Sequence, residues 1–594
     1  MTKRGRRRNA GRGRGGPSSV APAVAETSTT ASSTAKTAKT SARASLARGG
    51  DQLPGRLDRW ITPTALSLTA GLVSLGLGCY QLILSHVFTG VIGWDEGYDE
   101  GVYVGAAVRF VHGVLPYRDF VLLHPPGFLL LMAPVALLGN AFGAHVTLEV
   151  ARCITAIFVA MNAVLVGLIV RPLGRVATAT AAFGLALWPL TVAVERTVEL
   201  EPYLVFFCLL SAYLMFDGGR FASWTRVLLG GISLGFAVEV KVWAILVVVA
   251  TALVFLPKWR TRGLPLALGL AAGIVPGAPF FLAAPRAFVH DVIVTQLSRN
   301  GSMPVTSLQG RLLALTAIGR LPSIGPRVGL AVGLCCLFGL LVLAVFVFNR
   351  SRLVPLEWFA LVSSVVVFVG MFESPSPSEW YWYFPVAFVA MLIGLCVSRV
   401  CETCIALTTR RRGKPYGSVG VGAVFTGVLA LCLASFLVQQ EGVFAEEYLQ
   451  TASDPGAELA SVIPAGSCVI ADFTTDLLVA DRFTPARPGC PAVVDPYGSF
   501  LAEDDGVAPN PSGQYVRAFG QQWFSDLRRA DYLVLLAPYD DYFPWTRRSY
   551  DWFNREYRLV AHFPHRYPPG SVGAYETFDP SELYVYHNTS ISIG

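Results

Sequence analysis

Apolar runs of bilayer length recur along the chain from Thr62 to Leu437, and the charged residues gather in the short stretches between them. A helix needs about 20 predominantly apolar residues to cross the hydrocarbon core. Runs near that length lie at 62–85, 147–170, 174–192, 202–216, 264–282, 327–348, 355–371, 381–398 and 418–438. Two stretches depart from the pattern. Residues 120–139 open with His124, Pro125 and Pro126, which predicts a helix lying at the membrane interface. Residues 227–256 are too long for one ordinary span and carry Lys241 in their middle, which predicts two short helices meeting near the lysine. Beyond Glu441, short apolar runs such as Cys468–Ala471 and Tyr532–Leu536 alternate with turn-rich segments containing Pro, Gly and Asp. That alternation predicts a small α/β domain. The chain therefore divides into a tail at 1–60, a membrane part at 61–440 and a C-terminal α/β domain at 441–594.

Composition agrees with the pattern. Of 594 residues, 53% are hydrophobic and 15% charged, with mean hydropathy +0.51, whereas soluble domains carry about 25% charge. The fold class is an α-helical polytopic membrane protein with a C-terminal α/β domain. No A-x-A-like cleavage site follows the first run, so that run reads as a retained helix. The net charge of +7 is unevenly distributed, because Met1–Arg48 is a basic segment of Arg, Lys, Gly, Ser, Thr and Ala that cannot bury enough apolar surface to fold. Basic residues beside a first membrane helix fix that end in the cytoplasm and touch anionic lipid, so nucleic acid is not implied. The same bias should place Arg171 and Arg175, Arg220 and Arg226, Lys258–Arg262, Arg350 and Arg352, and Arg410–Lys414 inside. About eleven spans satisfy it, with 120–139 outside as a juxtamembrane element. The loop 86–146, Glu195–Glu201, 284–326, Phe372–Phe384 and the C-terminal domain then face out.

Of the eleven cysteines, Cys79, Cys153, Cys208, Cys335, Cys336 and Cys432 lie in apolar runs and behave as small hydrophobes. Cys401 and Cys404 form a lone C-x-x-C without the further ligands a zinc site needs. Cys468 and Cys490 stand in the C-terminal part and could form a disulfide if that part is outside.

The stretch Gly93–Gly105, GWDEGYDEGVYVG, places Asp95, Glu96, Asp99 and Glu100 just after the first span. Asp99, Glu100, Arg118, His124, Arg196, Glu201, Lys241, Gln296, Arg299, Tyr381 and Tyr383 would all lie at the outer side. Ionisable groups at membrane depth are costly and suggest function. Lys241, flanked by apolar residues, is the best instance, although a lysine near a helix end can also snorkel to the interface. In the C-terminal part Trp523, Tyr539, Tyr542, Phe543, Trp545, Tyr550 and Trp552 could stack on sugars, pack the domain core or rest on the membrane.

Asp99-Glu100-Gly101-Val102-Tyr103, then Ala106, Ala107, Arg109, Gly113, Leu115–Asp119 and His124-Pro125-Pro126-Gly127, resemble the first outer loop of the GT-C integral-membrane glycosyltransferases. The likeness is to the branch of protein mannosyltransferases and lipid A aminoarabinose transferases, including multispanning actinobacterial members. Glu195–Pro202 resembles the family's acidic residue and proline at a helix start, and Gly235–Trp243 its lysine-bearing helix end. The likeness covers roughly 60–400 in element order. His124 stands where some relatives carry lysine, and Glu201 where others carry aspartate.

The resemblance implies a polyprenyl-phosphate sugar donor used outside the cytoplasmic membrane and a cell-envelope glycan, glycolipid or protein as acceptor. Asp99 begins the pattern associated with the base, with Glu100 as its orienting or acceptor-binding neighbour. Lys241, helped by Arg299 and Arg196, would meet the donor phosphate. Glu201, His124, Arg118, Tyr103, Gln296, Tyr381 and Tyr383 would hold substrate or acceptor. Inverting transfer needs one carboxylate as base against the acceptor hydroxyl and fixed cations for the departing phosphate. No cofactor is implied; a divalent cation shared by Asp99, Glu100 and Glu201 stays open. Two other functions remain: a lipid-linked sugar transporter built around Lys241, and a non-catalytic scaffold for envelope assembly.

Overall fold

The computed structural model describes residues 61–84, 94–298, 307–316, 327–350, 353–374, 379–412, 455–503, 519–536, 545–564 and 582–591, with single residues at 427 and 543. The tail at 1–60, most of the expected span 418–438, Arg299, Cys432, Tyr539 and Tyr542 lie outside them. The membrane part is a helical bundle. Its main helices are α1 (Pro63–Leu84), α2 (Trp94–Val111), α3 (Gly127–Phe142), α4 (Ala144–Val170), α5 (Arg175–Ala186), α6 (Glu201–Met215) and α7 (Trp224–Val240). They continue as α8 (Ile245–Phe255), α9 (Trp259–Ile274), α10 (Arg327–Asn349), α11 (Pro355–Glu373) and α12 (Tyr383–Arg412). Among the described residues, six helical stretches are long and apolar enough to cross a membrane: Pro63–Ile83, Ala144–Leu173, Val242–Ala283, Arg327–Asn349, Pro355–Glu373 and Trp380–Cys404. The third runs for 42 residues and is divided by a tight 3₁₀ turn at Leu256–Lys258, where Pro257 lacks the amide that would continue the helix. Shorter apolar helices at Gly127–Phe142 and Glu201–Met215 complete the set.

The long run at 227–256 is broken at the lysine. Helix α7 stops at Val240, Lys241 is extended (φ −154°, ψ 132°), and a 3₁₀ turn at Val242–Ala244 leads into α8. Helices α7 and α9 approach through paired glycines. A Cβ on Gly231 would stand 2.9 Å from the Cα of Gly269, and one on Gly235 3.0 Å from the Cα of Gly273. Small residues four apart let membrane helices meet backbone to backbone, where packing rather than hydrophobicity drives association.

The C-terminal part contains strands β1 (Val469–Ala471), β2 (Tyr532–Leu535), β3 (Tyr557–Pro564) and β4 (Glu582–Asn588), with helices α13 (Thr474–Val479), α14 (Phe519–Arg529) and α15 (Arg547–Glu556). The sheet order is β1-β2-β4-β3; β1 and β2 are parallel and the other pairs antiparallel. Every residue of β1 and β2 is buried, which explains why these strands read as unbroken apolar runs rather than alternating ones. Trp523, Phe543 and Trp545 pack this core, and the Trp523 and Phe543 rings stack 4.1 Å apart. Cys468 and Cys490 form a disulfide with their Cα atoms 5.4 Å apart.

Helix α2 joins the two parts. Gly97, Gly101 and Gly105 recur at helical spacing, and α13 presses on that stripe. The Thr475 hydroxyl donates to the Gly97 carbonyl, and a Cβ on Gly101 would stand 2.5 Å from the Thr475 nitrogen. Tyr98 donates to Asp495 at 2.7 Å and accepts from the Tyr497 amide at 2.9 Å. The helix ends at Gly113 (φ +82°), whose amide bonds to the Phe110 carbonyl while that of Val114 reaches Arg109. This left-handed cap favours glycine.

Candidate active site

The other face of α2 carries Asp99, Glu100 and Tyr103. The Tyr103 hydroxyl donates to Asp99 Oδ2 at 3.2 Å, one turn back, and lies 3.4 Å from His124 Nε2. Burial, then the charges of Asp99 and Glu199, push the Tyr103 phenol well above its ordinary value. It therefore keeps its proton and remains a donor to Asp99. The next residue behaves differently. Glu100 and Arg152 of α4 are both fully buried; Arg152 Nε donates to Glu100 Oε2 at 3.0 Å and Nη2 to Oε1. Oε2 also faces the Val198 amide at 3.4 Å. Both oxygens are thus engaged by protein, which suits an orienting role and leaves no vacant oxygen for an acceptor.

The stretch before α6 is buried throughout its charged positions, with Glu195, Arg196, Glu199 and Glu201 at most 2% exposed. Ser74 of α1 donates to Glu195 at 2.6 Å. Glu201 opens α6 with Pro202 behind it. Its Oε1 accepts from Lys241 Nζ at 2.5 Å, and the same ammonium stands 3.6 Å from the centre of the Tyr381 ring, a cation–π contact strengthened by desolvation. The lysine sits where the helix breaks, and Asp99 and Glu201 are both within electrostatic reach of it. Gly127 fixes the geometry from the other side: a Cβ there would lie 2.5 Å from the Glu239 carbonyl. The His124–Gly127 turn therefore rests directly on the end of the lysine-bearing helix.

The remaining candidates divide by position. Tyr383 accepts from Asn162 Nδ2 at 3.1 Å, which also donates to the Pro202 carbonyl at 2.9 Å, so Tyr383 braces the start of α6 from deeper in the bundle. Gln296 donates to the Leu123 carbonyl at 3.1 Å and braces the turn before His124. Arg118 is exposed and paired with Asp119 at 2.7 Å, and it lines a cavity that none of Asp99, Glu201 and Lys241 lines. Among the described residues no group of three or more His, Cys, Asp or Glu side chains is arranged to hold a metal ion.

Two buried residues of the site carry no role in the sequence reading. Glu199 is 1% exposed, neither carboxylate oxygen has a hydrogen-bond partner, and burial followed by the charges of Asp99 and Glu201 pushes its carboxyl well up. Arg152 is the other. Its signal is the one that marks Lys241: an ionisable residue in an apolar run.

Residues 136–275 match the family model of the dolichyl-phosphate-mannose-protein mannosyltransferases. Over these residues the chain is similar to that family. The GT-C resemblance of the sequence is borne out there, and the segment includes Arg152, Glu199, Glu201 and Lys241. Among solved structures, ArnT from Cupriavidus metallidurans in the apo state is 14% identical, covering 86% of this chain and 97% of that one, with TM-score 0.48. The same protein bound to undecaprenyl phosphate is 15% identical over 87% and 97%, with TM-score 0.47. The oligosaccharyltransferase AglB from Archaeoglobus fulgidus, in complex with an inhibitory peptide and a dolichol-phosphate, is 13% identical over 78% and 69%, with TM-score 0.41. No curated protein sequence matches. Asp99 lies before the matched segment.

Proposed function

We propose that the protein is a glycosyltransferase that moves a sugar from a polyprenyl-phosphate donor to an acceptor hydroxyl of the cell envelope, at the outer face of the cytoplasmic membrane. The observation that carries this reading is the convergence of Asp99 from α2, Glu201 from the start of α6 and Lys241 from the break after α7. Asp99 takes the proton of the acceptor hydroxyl as its oxygen attacks the anomeric carbon. The bond from that carbon to the phosphate oxygen breaks, and inversion follows from a single displacement. Tyr103 holds Asp99, and Glu100, clamped by Arg152, fixes the helix turn that presents it. The Lys241 ammonium has three N–H groups, of which Glu201 takes one, and it meets the departing phosphate with the others. Arg196 and Arg299 are the proposed helpers; Tyr381, His124, Gln296 and Tyr383 shape the sugar and acceptor side, with Arg118 further out along the acceptor path.

The disulfide Cys468–Cys490 supports an oxidising, extracytoplasmic setting for the C-terminal part. The mannosyltransferase segment makes mannose the first donor sugar to screen. The test is transfer from labelled polyprenyl-phosphate sugars to envelope fractions in membranes carrying the full chain. Asp99→Asn should lower transfer by about 10²–10⁴-fold while insertion and melting stay as in the wild type. Wild-type turnover by that variant removes Asp99 from the chemistry, and sugar flux into vesicles without product favours a transporter.

A further inference from the structure

A cavity of 760 Å³ lies between the end of α2 with its following loop and the C-terminal part. Its volume falls in the range of small-molecule sites. Asp99 and Arg109 are ten residues apart on one helix, hence about 15 Å along its axis at 1.5 Å per residue. The cavity is therefore distinct from the Asp99–Lys241 cluster. Four arginines line it: Arg109, Arg118, Arg487 and Arg529. Three have carboxylate partners, Arg118 with Asp119 at 2.7 Å, Arg487 with Asp531 at 2.5 Å, and Arg529 with Asp526.

Arg109 does not. It is 5% exposed, its Nε has no hydrogen-bond partner, and among the described residues its guanidinium contact is the Phe483 ring, 4.4 Å away. Burial draws its pKa down to about 10, which leaves it charged at neutral pH. A buried cation without a counter-charge is costly unless an anion joins it. Trp523 also lines the cavity and is a second unpartnered donor: it is 4% exposed, and its Nε1 has no acceptor. Its ring, stacked on Phe543, is held rigid.

We propose that this cavity binds an acidic saccharide, with Arg109 taking a phosphate or carboxylate group and Trp523 a ring oxygen or hydroxyl. On the transferase reading, which this inference deepens, it is a remote subsite for the acceptor glycan. Binding energy gained away from the reacting carbon can then be used in the transition state.

The test is binding to the full chain in nanodiscs, by calorimetry, with mannose 6-phosphate, glucuronate, mannose and inorganic phosphate as probes. The two arms carrying sugar and charge distinguish phosphate from carboxylate. At least one should bind 10-fold or more tighter than both mannose and inorganic phosphate. Arg109→Gln should remove that advantage. Trp523→Phe, which keeps the ring stack, should weaken sugar-anion binding several-fold and leave melting unchanged. Asp99→Asn should bind as the wild type does, so a chain that binds but does not transfer separates this site from the chemistry. Equal binding of all probes, equal binding of inorganic phosphate and the sugar anions, or wild-type affinity in both the Arg109 and Trp523 variants overturns the proposal.

Discussion

Replacing Glu100 by glutamine separates positioning from chemistry. Glu100 and Arg152 are both fully buried, and two guanidinium nitrogens donate to two carboxylate oxygens. Removing one partner of such a pair leaves the other charge buried without compensation, at about 3–5 kcal/mol. Glutamine keeps one acceptor oxygen, so Glu100→Gln should fall near the lower end, about 3 kcal/mol. Replacing the whole pair with apolar residues of similar volume is often neutral, because the desolvation of both charges is removed too. Glu100→Leu with Arg152→Met should therefore melt closer to the wild type than Glu100→Gln alone. The assay pairs melting of the purified protein with transfer rate per folded molecule. Glu100→Gln should lose stability while each surviving folded molecule retains much of its rate. If it melts like the wild type and loses turnover as Asp99→Asn does, Glu100 touches the reacting atoms and the positioning account fails.

Three further outcomes follow from the same geometry. Glu199 has a raised native pKa, so above about pH 4.3, where an unfolded glutamate ionises, the native state holds a proton that the unfolded state has released. Stability then falls with rising pH by up to about 1.4 kcal/mol per unit until the native carboxyl ionises, and melting of Glu199→Gln should show a shallower fall than the wild type between pH 5 and 8; identical slopes would contradict the assignment. Gly101→Leu places side-chain atoms where the Thr475 backbone now lies; overpacking of about 1–3 kcal/mol should loosen α13 from α2 and speed proteolysis within 455–503, and unchanged proteolysis would argue against the contact. Removing the disulfide with Cys468→Ala and Cys490→Ala opens a loop of 22 residues and should cost the C-terminal part about 3 kcal/mol, read as lower resistance to denaturant; insensitivity to the double change would deny the bridge a stabilising role.

Much of the membrane part was legible because its signals are one-dimensional. A lysine within an apolar run too long for one crossing marks the break at Lys241, and the glutamate–proline pair marks the start of α6. Arg152 carried the same kind of signal but lies in a run of ordinary length, where nothing in the spacing points to Glu100. The stretch around Asp95–Gly101 shows what escapes a linear reading. Its carboxylates draw the eye, yet the four-residue repeat of Asp-Glu-Gly puts Gly97 and Gly101 one turn apart on a helix face that α13 covers. Residues more than 370 positions away in sequence make that contact, so no local pattern could disclose it. Glu199 escaped for a related reason: nothing local sets it apart from the three other charged residues of its segment, and tertiary packing buries it.

Helix α2 serves two masters: one side presents the carboxylate to the bundle, and the opposite side is the floor on which the C-terminal part stands. The C-terminal part is therefore not an exchangeable cassette. Grafting it from a related protein to alter acceptor choice would have to bring along Trp94–Val111 or refit the glycine stripe to the new partner. A chimera that ignores that seam would tilt the helix and displace Asp99, even with Asp99, Glu201 and Lys241 all kept.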